Sequence, residues 1–311
     1  MKKVVFGIDI GGTTVKCGLF YTDGTLVEKC EIPTRKEDGG ARIIDDICAQ
    51  IRQICSDRNI LKENIIGIGM GVPGSVNKDG VVNKCVNLGW GVFNAAAEIE
   101  RRMGISAKAG NDANMAALGE FWLGGAKGYS SMMMITVGTG VGGGIIIDGK
   151  PLVGFNGAAA EIGHIPVEDN ETEKCNCGKS GCLEQYASAT GIVRVAQKML
   201  QEETMASVLR KIEKFTAKDI FDAAKSGDML SVKVAEYVSR MLAKGLACAA
   251  GIIDPECFLI GGGVSAAGDY FINLIEKNYR ELVFHPSRDT KILKAALGND
   301  AGMCGAARLM L

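Results

Sequence analysis

The chain has 311 residues, 47% of them hydrophobic, with 35 Lys+Arg set against 36 Asp+Glu. A net charge of -1 gives no electrostatic case for nucleic acid or a membrane surface. No apolar run approaches the roughly 18 residues that a membrane span needs. The length predicts two domains sharing a cleft rather than one core. Met1–Ile8 imitates an export signal, but Asp9 ends the apolar run too early. The 11 cysteines are an odd number, and Cys17, Cys48, Cys55, Cys248 and Cys304 sit singly in apolar settings. That is the usage of reduced thiols in a cytoplasm, not of a disulfide scaffold.

In chain order, Lys3–Ile8 reads as a short apolar strand ending in Gly11-Gly12. Val15–Phe20 and Leu26–Ile32 flank Thr22-Asp23-Gly24 as a hairpin. Ala41–Cys55 carries the apolar stripe Ile43, Ile44, Ile47, Ile51, Ile54 of a helix. Ile65–Met70 is a buried strand, Asn94–Met103 a helix capped by Asn94, Ile105–Ala109 a strand and Asp112–Leu123 a helix. Ser131–Val137 and Ile145–Ile147 are strands around a glycine-rich turn at 138–144, a loose echo of the opening strand–turn–strand. After the cysteine cluster, Thr216-Ala217-Lys218-Asp219 fits a capping box and Asp228–Gly251 a long helix. Phe258–Ile260 is a strand ending in Gly261-Gly262-Gly263, and Gly302–Leu311 a closing helix. The alternation argues an α/β fold. Glycine, at 42 residues, reads as concentrated in a few loops.

Three glycine-rich loops follow strands: Asp9–Lys16, Gly138–Gly144 and Gly261–Gly263. Backbone N–H groups approach anions closely through glycine, and Thr13, Thr14 and Thr139 add hydroxyl donors. Gly69–Gly74 and Gly138–Gly143 both satisfy G-x-G-x-x-G. The first is followed by the loop Ser75–Gly80 and the second by a strand, so neither is a dinucleotide fingerprint. Pro151 occupies the Ser/Thr position of a P-loop. Asp9 at its strand end suits hydrated Mg²⁺. Lys16 is either its electrostatic neighbour or a solvated strand residue. Asp112, in Asn111-Asp112-Ala113-Asn114, is either a helix N-terminal acid or a general base positioned with Asn111.

His164, Cys175, Cys177 and Cys182 supply four donors within 164–182, a closed tetrahedral set that makes a structural rather than catalytic Zn²⁺ site. The deaminase signature and a C-x-x-C redox pair are absent. Glu161 and Glu184 bracket the cluster.

These motifs, with Gly71-Val72-Pro73-Gly74, Glu161–His164 and Cys175–Glu184, resemble the ROK family of sugar kinases and sugar-responsive repressors, most closely its bacterial glucokinases. The Cys-x-Cys-Gly-x-x-Gly-Cys-x-Glu string is the specific part; the glycine loops alone are not. The resemblance implies a two-lobed actin-like ATPase/sugar kinase fold, ribonuclease H-like, with a central cleft. It implies a small lobe of residues 1–110, closed by helix 300–311, and a large lobe of 111–299 carrying the zinc motif. It implies ATP-dependent phosphorylation of glucose at the 6-hydroxyl, with Asp112 as base. Gly74, Asn111, Asp112, Glu161, His164 and Glu184 would bind the sugar, His164 ligating zinc through its other ring nitrogen. Gly11, Gly12, Thr13, Gly138, Thr139 and Gly140 would hold phosphates, Asp9 would serve Mg²⁺, and Gly261, Gly262 and Gly263 would approach adenosine. Ala160 stands where the family usually has glycine, which puts in doubt the turn that aims Glu161. A homodimer or homotetramer is also implied. The alternatives are a kinase for N-acetylmannosamine, allose or fructose, or a sugar-sensing repressor. The phosphate loop beginning at Asp9 and the missing basic patch speak against the repressor.

Overall fold

A computed structural model of the chain describes residues 2–77 and 79–311. Met1 of the opening run and Lys78 of the segment read as a loop lie outside the described residues. The first elements are β1 (Val4–Ile10), β2 (Thr14–Tyr21), β3 (Leu26–Pro33), the short α1 (Glu37–Gly40), α2 (Ile43–Asp57), β4 (Ile65–Val72), β5 (Ser75–Val76), β6 (Val81–Lys84), β7 (Phe93–Asn94), α3 (Ala95–Met103), β8 (Ala107–Asn111) and α4 (Asp112–Leu123). Then come β9 (Ser131–Val137), β10 (Val141–Ile147), β11 (Lys150–Pro151), α5 (Glu184–Ala187), α6 (Ala189–Glu202), α7 (Ala217–Lys225) and α8 (Met229–Ile253). β12 (Cys257–Gly261), α9 (Asp269–Leu282), β13 (Lys291–Lys294) and α10 (Ala301–Arg308) complete the order. By internal contacts the chain divides into two units. One holds Met1–Ser130, Gly144–Ala159 and Ala296–Leu311, the other Ser131–Gly143 and Ala160–Ala295. Among the described residues no helix is long and apolar enough to cross a membrane.

The two main sheets share one plan, β3-β2-β1-β4-β8 and β11-β10-β9-β12-β13. In each, a central strand has its hairpin partners on one side and two parallel strands on the other. The echo in the sequence is thus a repeat of topology, which keeps strand order while the side chains diverge.

Strand parity in β1 decides what faces the first unit's site. Phe6, Ile8 and Ile10 join the core that the α2 stripe Ile43, Ile47, Ile51 and Ile54 fills. Val5 points the other way, into a cluster with Met303, Cys304 and Ala307 of α10, as side chains alternating across a strand require. Gly7 shares that face: a Cβ on it would lie 2.1 Å from the Met303 carbonyl oxygen. Gly69 of β4 would meet the Ala306 oxygen at 1.7 Å, and Gly305 of α10 the Met115 oxygen at 1.7 Å. Close approach, then, explains much of the glycine excess, and these glycines lie inside strands and helices rather than in loops.

Most expected elements form. Asn94 caps α3 through Ala97 N–H at 2.9 Å, and Thr216 and Asp219 make the capping box of α7. The expected strand Ile105–Ala109 is shifted to Ala107–Asn111. The glycine-rich turn at 138–144 is shorter than expected, because β10 begins at Val141. Gly143 and Gly144 are strand glycines forced by crowding: their Cβ atoms would lie 2.6 Å from the Ala160 oxygen and the Ala117 methyl respectively. Helix α9, strand β13 and the small sheet β5-β6-β7 were not expected, although α9 buries a helical stripe of Phe271, Ile272, Ile275 and Tyr279.

Candidate active site and metal loop

In the first unit, Asn111 ends β8 and caps α4, its side-chain oxygen accepting from Asn114 N–H at 3.1 Å. Its amide nitrogen donates to the Gly74 carbonyl at 3.0 Å and to Asp112 Oδ1 at 2.9 Å. Ala113 N–H donates to the same Oδ1 at 2.8 Å. Gly74 reaches this corner because its φ of +93° turns the chain out of β4, a conformation that costs glycine nothing. Asp112 is exposed at the positive end of α4, so the cap that organises the helix also orients its carboxylate.

Asp9 lies on the α10 face of β1. Its carboxylate fills the space that a Cβ on Gly302 would occupy, 2.8 Å from its Cγ. Burial raises its pKa to about 6, with Lys16 opposing and Asp112 and Asp300 adding to the rise. The Lys16 ammonium donates to the Asn299 carbonyl at 2.6 Å, so it acts on Asp9 as a neighbouring charge and is not merely a solvated strand residue. A buried acid with no full charge compensation is the donor chemistry that a divalent cation satisfies. Beyond it, the Gly11–Thr13 turn is held by Gly11 N–H to Thr14 O at 2.9 Å and by Thr34 Oγ1 to Gly11 O at 2.7 Å.

In the second unit, Gly138 N–H donates to Gly140 O at 2.9 Å, closing the turn between β9 and β10. Gly138, Thr139 and Gly263 line one pocket of 420 Å³ with Phe221, Val264 and Ala267. Two of the three glycine loops therefore meet at one apolar-walled cavity. Gly262 needs its glycine, since it has a φ of +82° and a Cβ would strike Val137 backbone at 2.5 Å. Gly12, Gly138 and Gly263 differ: none has a positive φ, and a Cβ on each would meet nothing within 4 Å. Neither backbone strain nor packing asks for glycine there, so these backbone positions are open to close approach.

His164 ends a 3₁₀ turn, Ile162–His164, that follows Glu161, and its N–H donates to Glu161 O at 3.1 Å. His164 Nδ1 lies 3.8 Å from Cys175 Sγ, Cys177 Sγ lies 3.6 Å from Cys182 Sγ, and the four donor atoms lie within 4.8 Å of one another. A zinc tetrahedron with its usual bond lengths has edges of about 3.6–3.8 Å, so the donor set fits the ion. Nδ1 faces the sulfurs, which leaves Nε2 as the ring nitrogen for a second partner. The half-buried Glu184 opens α5, accepting from Val141 N–H at 3.0 Å with one oxygen, the other 3.9 Å from Cys175 Sγ. A Cβ on Gly140 would sit 2.3 Å from that carboxylate, so Gly140 is glycine for Glu184's sake. Glu161 is exposed. Ala160, just before it, adopts a φ of +66°, which explains the glycine usual at this position.

Sequence reasoning missed the polar groups that tie this loop down. Arg194 on α6 bridges Glu171 and Glu173, and Gln185 and Tyr186 bond the same two residues. The alternating acids just ahead of Cys175 were a signal in the chain; Arg194 gave none, because its contacts are made only by folding.

Duplicated sheets with glycine loops at strand ends define the α/β fold of the actin-like ATPases and sugar kinases. The chain belongs to the ROK family, whose model it matches over residues 5–311. It is 41% identical to a glucokinase of Halalkalibacterium halodurans over 309 residues, covering 98% of this chain and 94% of that protein. A solved ROK family glucokinase from Streptomyces griseus, in complex with glucose and AMPPNP, superposes with a TM-score of 0.75 at 33% identity, covering 98% of each chain. The ROK hexokinase of Thermus thermophilus gives a TM-score of 0.82 at 29% identity, covering 99% of this chain and 97% of that one.

Proposed function

We propose that this chain is an ATP-dependent glucokinase, transferring the γ-phosphoryl group to the 6-hydroxyl of glucose. Whole-length identity of 41% to one glucokinase and 34% to another carries this reading. In the first unit, Asp112 takes the proton of the attacking hydroxyl, and Asn111 and Asp112 bind the hydroxyls at positions 3 and 4. Two hydrogen-bond donors at the start of α4 hold the Asp112 carboxylate in place. The loose phosphoryl-transfer transition state depends mainly on positioning and charge neutralisation. Asp9 holds hydrated Mg²⁺, which supplies neutralisation of the phosphate charge when bound, and Gly11, Gly12 and Thr13 hold phosphates. Gly74 fixes Asn111 through its carbonyl.

In the second unit, Glu161, His164 through Nε2, and Glu184 bind hydroxyls at positions 1 to 3. Such acceptors discriminate sugars because a missing hydroxyl leaves a buried polar group unpaired. The cavity with Phe221 on its wall suits an adenine ring, with Gly263 alongside and Gly138–Gly140 toward the phosphates. Zn²⁺ held by His164, Cys175, Cys177 and Cys182 is a brace, since four protein ligands leave no position for a reactant. We place the protein in the cytoplasm, where ATP is plentiful and free thiols persist. The test is ADP release with ATP and Mg²⁺ across a panel of hexoses and N-acetylhexosamines. Glucose should support the fastest turnover at low concentration. Faster turnover of N-acetylmannosamine, allose or fructose would reassign the sugar, and no turnover with any would end the kinase reading.

A further inference from the structure

The loop that carries three of the four metal donors has little regular structure. Among the described residues it has two isolated bridges, Pro166 with Cys182 and Lys174 with Ser180. Arg194, on the second turn of α6, reaches it with all three guanidinium nitrogens engaged. Nη2 donates to Glu171 Oε2 at 2.7 Å, Nη1 to Glu173 Oε2 at 3.0 Å, and Nε to the Gln185 carbonyl at 3.3 Å. The guanidinium lies 5.2 Å from the centre of the Tyr186 ring, whose hydroxyl donates to Glu171 at 2.6 Å. Gln185 completes the net, donating to Glu173 O at 3.0 Å and accepting from Cys182 N–H at 3.1 Å. Three members of this net flank Glu184 in the chain: Cys182 two residues before it, Gln185 and Tyr186 directly after. Arg194, Cys175, Glu184 and Thr190 also line a common pocket of 210 Å³.

We propose that Arg194 is a positioning residue for Glu184 and for the metal loop. It acts as a second cross-link that fixes where the sugar-binding carboxylate points. An ordinary surface ion pair would not do this, because solvent screens it and its side chains wander. Here the Glu171 side chain is only 9% exposed, and the hydrogen bond from Arg194, aided by Tyr186, holds its carboxyl down at about 2, so the pair stays charged and closed. A guanidinium serves three acceptors in fixed directions at once; an ammonium cannot hold that geometry. Glu173, with its side chain 66% exposed, is the weaker arm.

The inference rests on the glucokinase reading for its kinetic arm only. Wild type, Arg194→Ala, Arg194→Lys, Glu171→Gln and Glu173→Gln are compared as full chains for zinc release to a chromogenic chelator, and for KM and kcat with glucose and ATP. Amide hydrogen exchange over residues 166–182 is followed in parallel. For Arg194→Ala we expect faster zinc release and a glucose KM raised by about 10–100-fold, the usual cost of losing a group that supports metal ligands. The ATP KM should stay within about twofold, and loop exchange should quicken. Arg194→Lys should recover part of the effect, and Glu171→Gln should exceed Glu173→Gln. Wild-type values in Arg194→Ala would overturn the proposal, as would an equal rise in both KM values. If that variant fails to fold, the glutamine variants, which keep the arginine, decide. If wild type phosphorylates no sugar, the kinase reading fails, and zinc release with loop exchange still judges the clamp. If wild type holds no zinc, loop exchange judges it alone.

Discussion

The two candidate sites, one in each unit, are built by different physics. The Asn111–Asp112 corner sits where a strand ends and a helix begins, so the sheet and the cap position its side chains to within a hydrogen bond. The Glu161–Glu184 loop has almost no ladder or helix to lean on. Its donors are held by cross-links: four residues arranged for a metal, and the Arg194 net. A site on element termini inherits its precision from the backbone, whereas one on a loop must have it added by side chains. Damage should therefore look different in the two places, catalytic in the first and a matter of affinity and order in the second.

The largest separation should come from Asp112→Ala. Removing a general base lowers kcat by about 10²–10⁴, while the thermal transition stays in place because Asn111 still caps α4. Near-normal turnover in an ADP-release assay would remove Asp112 from the chemistry. Metal removal is the complementary break. Stripping zinc, or Cys177→Ser, should raise the glucose KM by about 10–100-fold, with kcat less affected. Metal analysis of the purified protein should find one zinc per chain, and fully active metal-free protein would dismiss the brace.

Smaller effects sharpen the contrast. Asp9 has a folded pKa of about 6, above its ordinary 3.8, so the native state binds its proton more tightly than the unfolded chain does. Stability contributed by this group is present below 3.8, falls as pH rises through that window, and stays lost above about 6. Asp9→Asn should accordingly stabilise the fold by up to about 3 kcal/mol at pH 8 and by nearly nothing at pH 3.5. Equal unfolding curves at pH 8 would show that the buried carboxylate carries no penalty. Ala160→Gly is the mildest. Relieving a left-handed alanine should add about 1 kcal/mol, readable in denaturant unfolding. A changed glucose KM in that variant would show that the strained turn aims Glu161.

Much of this was legible in the chain. The α2 stripe, the cap at Asn94, the capping box at Thr216 and the cysteine spacing are local patterns, and local hydrogen bonding and burial fix them. The glycines were misjudged, because whether a residue sits against a neighbouring element depends on what packs there: Gly144 reads as part of a glycine-rich turn and proves to be a strand residue seated against Ala117 of α4. The reading of Lys16 stayed open until Asn299 came within reach of it.

The sequence by itself determined which residues could ligate, cap or alternate, since those properties belong to side-chain chemistry and to spacings of a few residues. Only the tertiary structure decided that Asp9 would share a face with Gly302, that Glu184 would rest on Gly140, and that Arg194 would close on Glu171. Each of these joins positions far apart along the chain or turned toward one another by packing, and no local periodicity encodes which surfaces the hydrophobic core will press together.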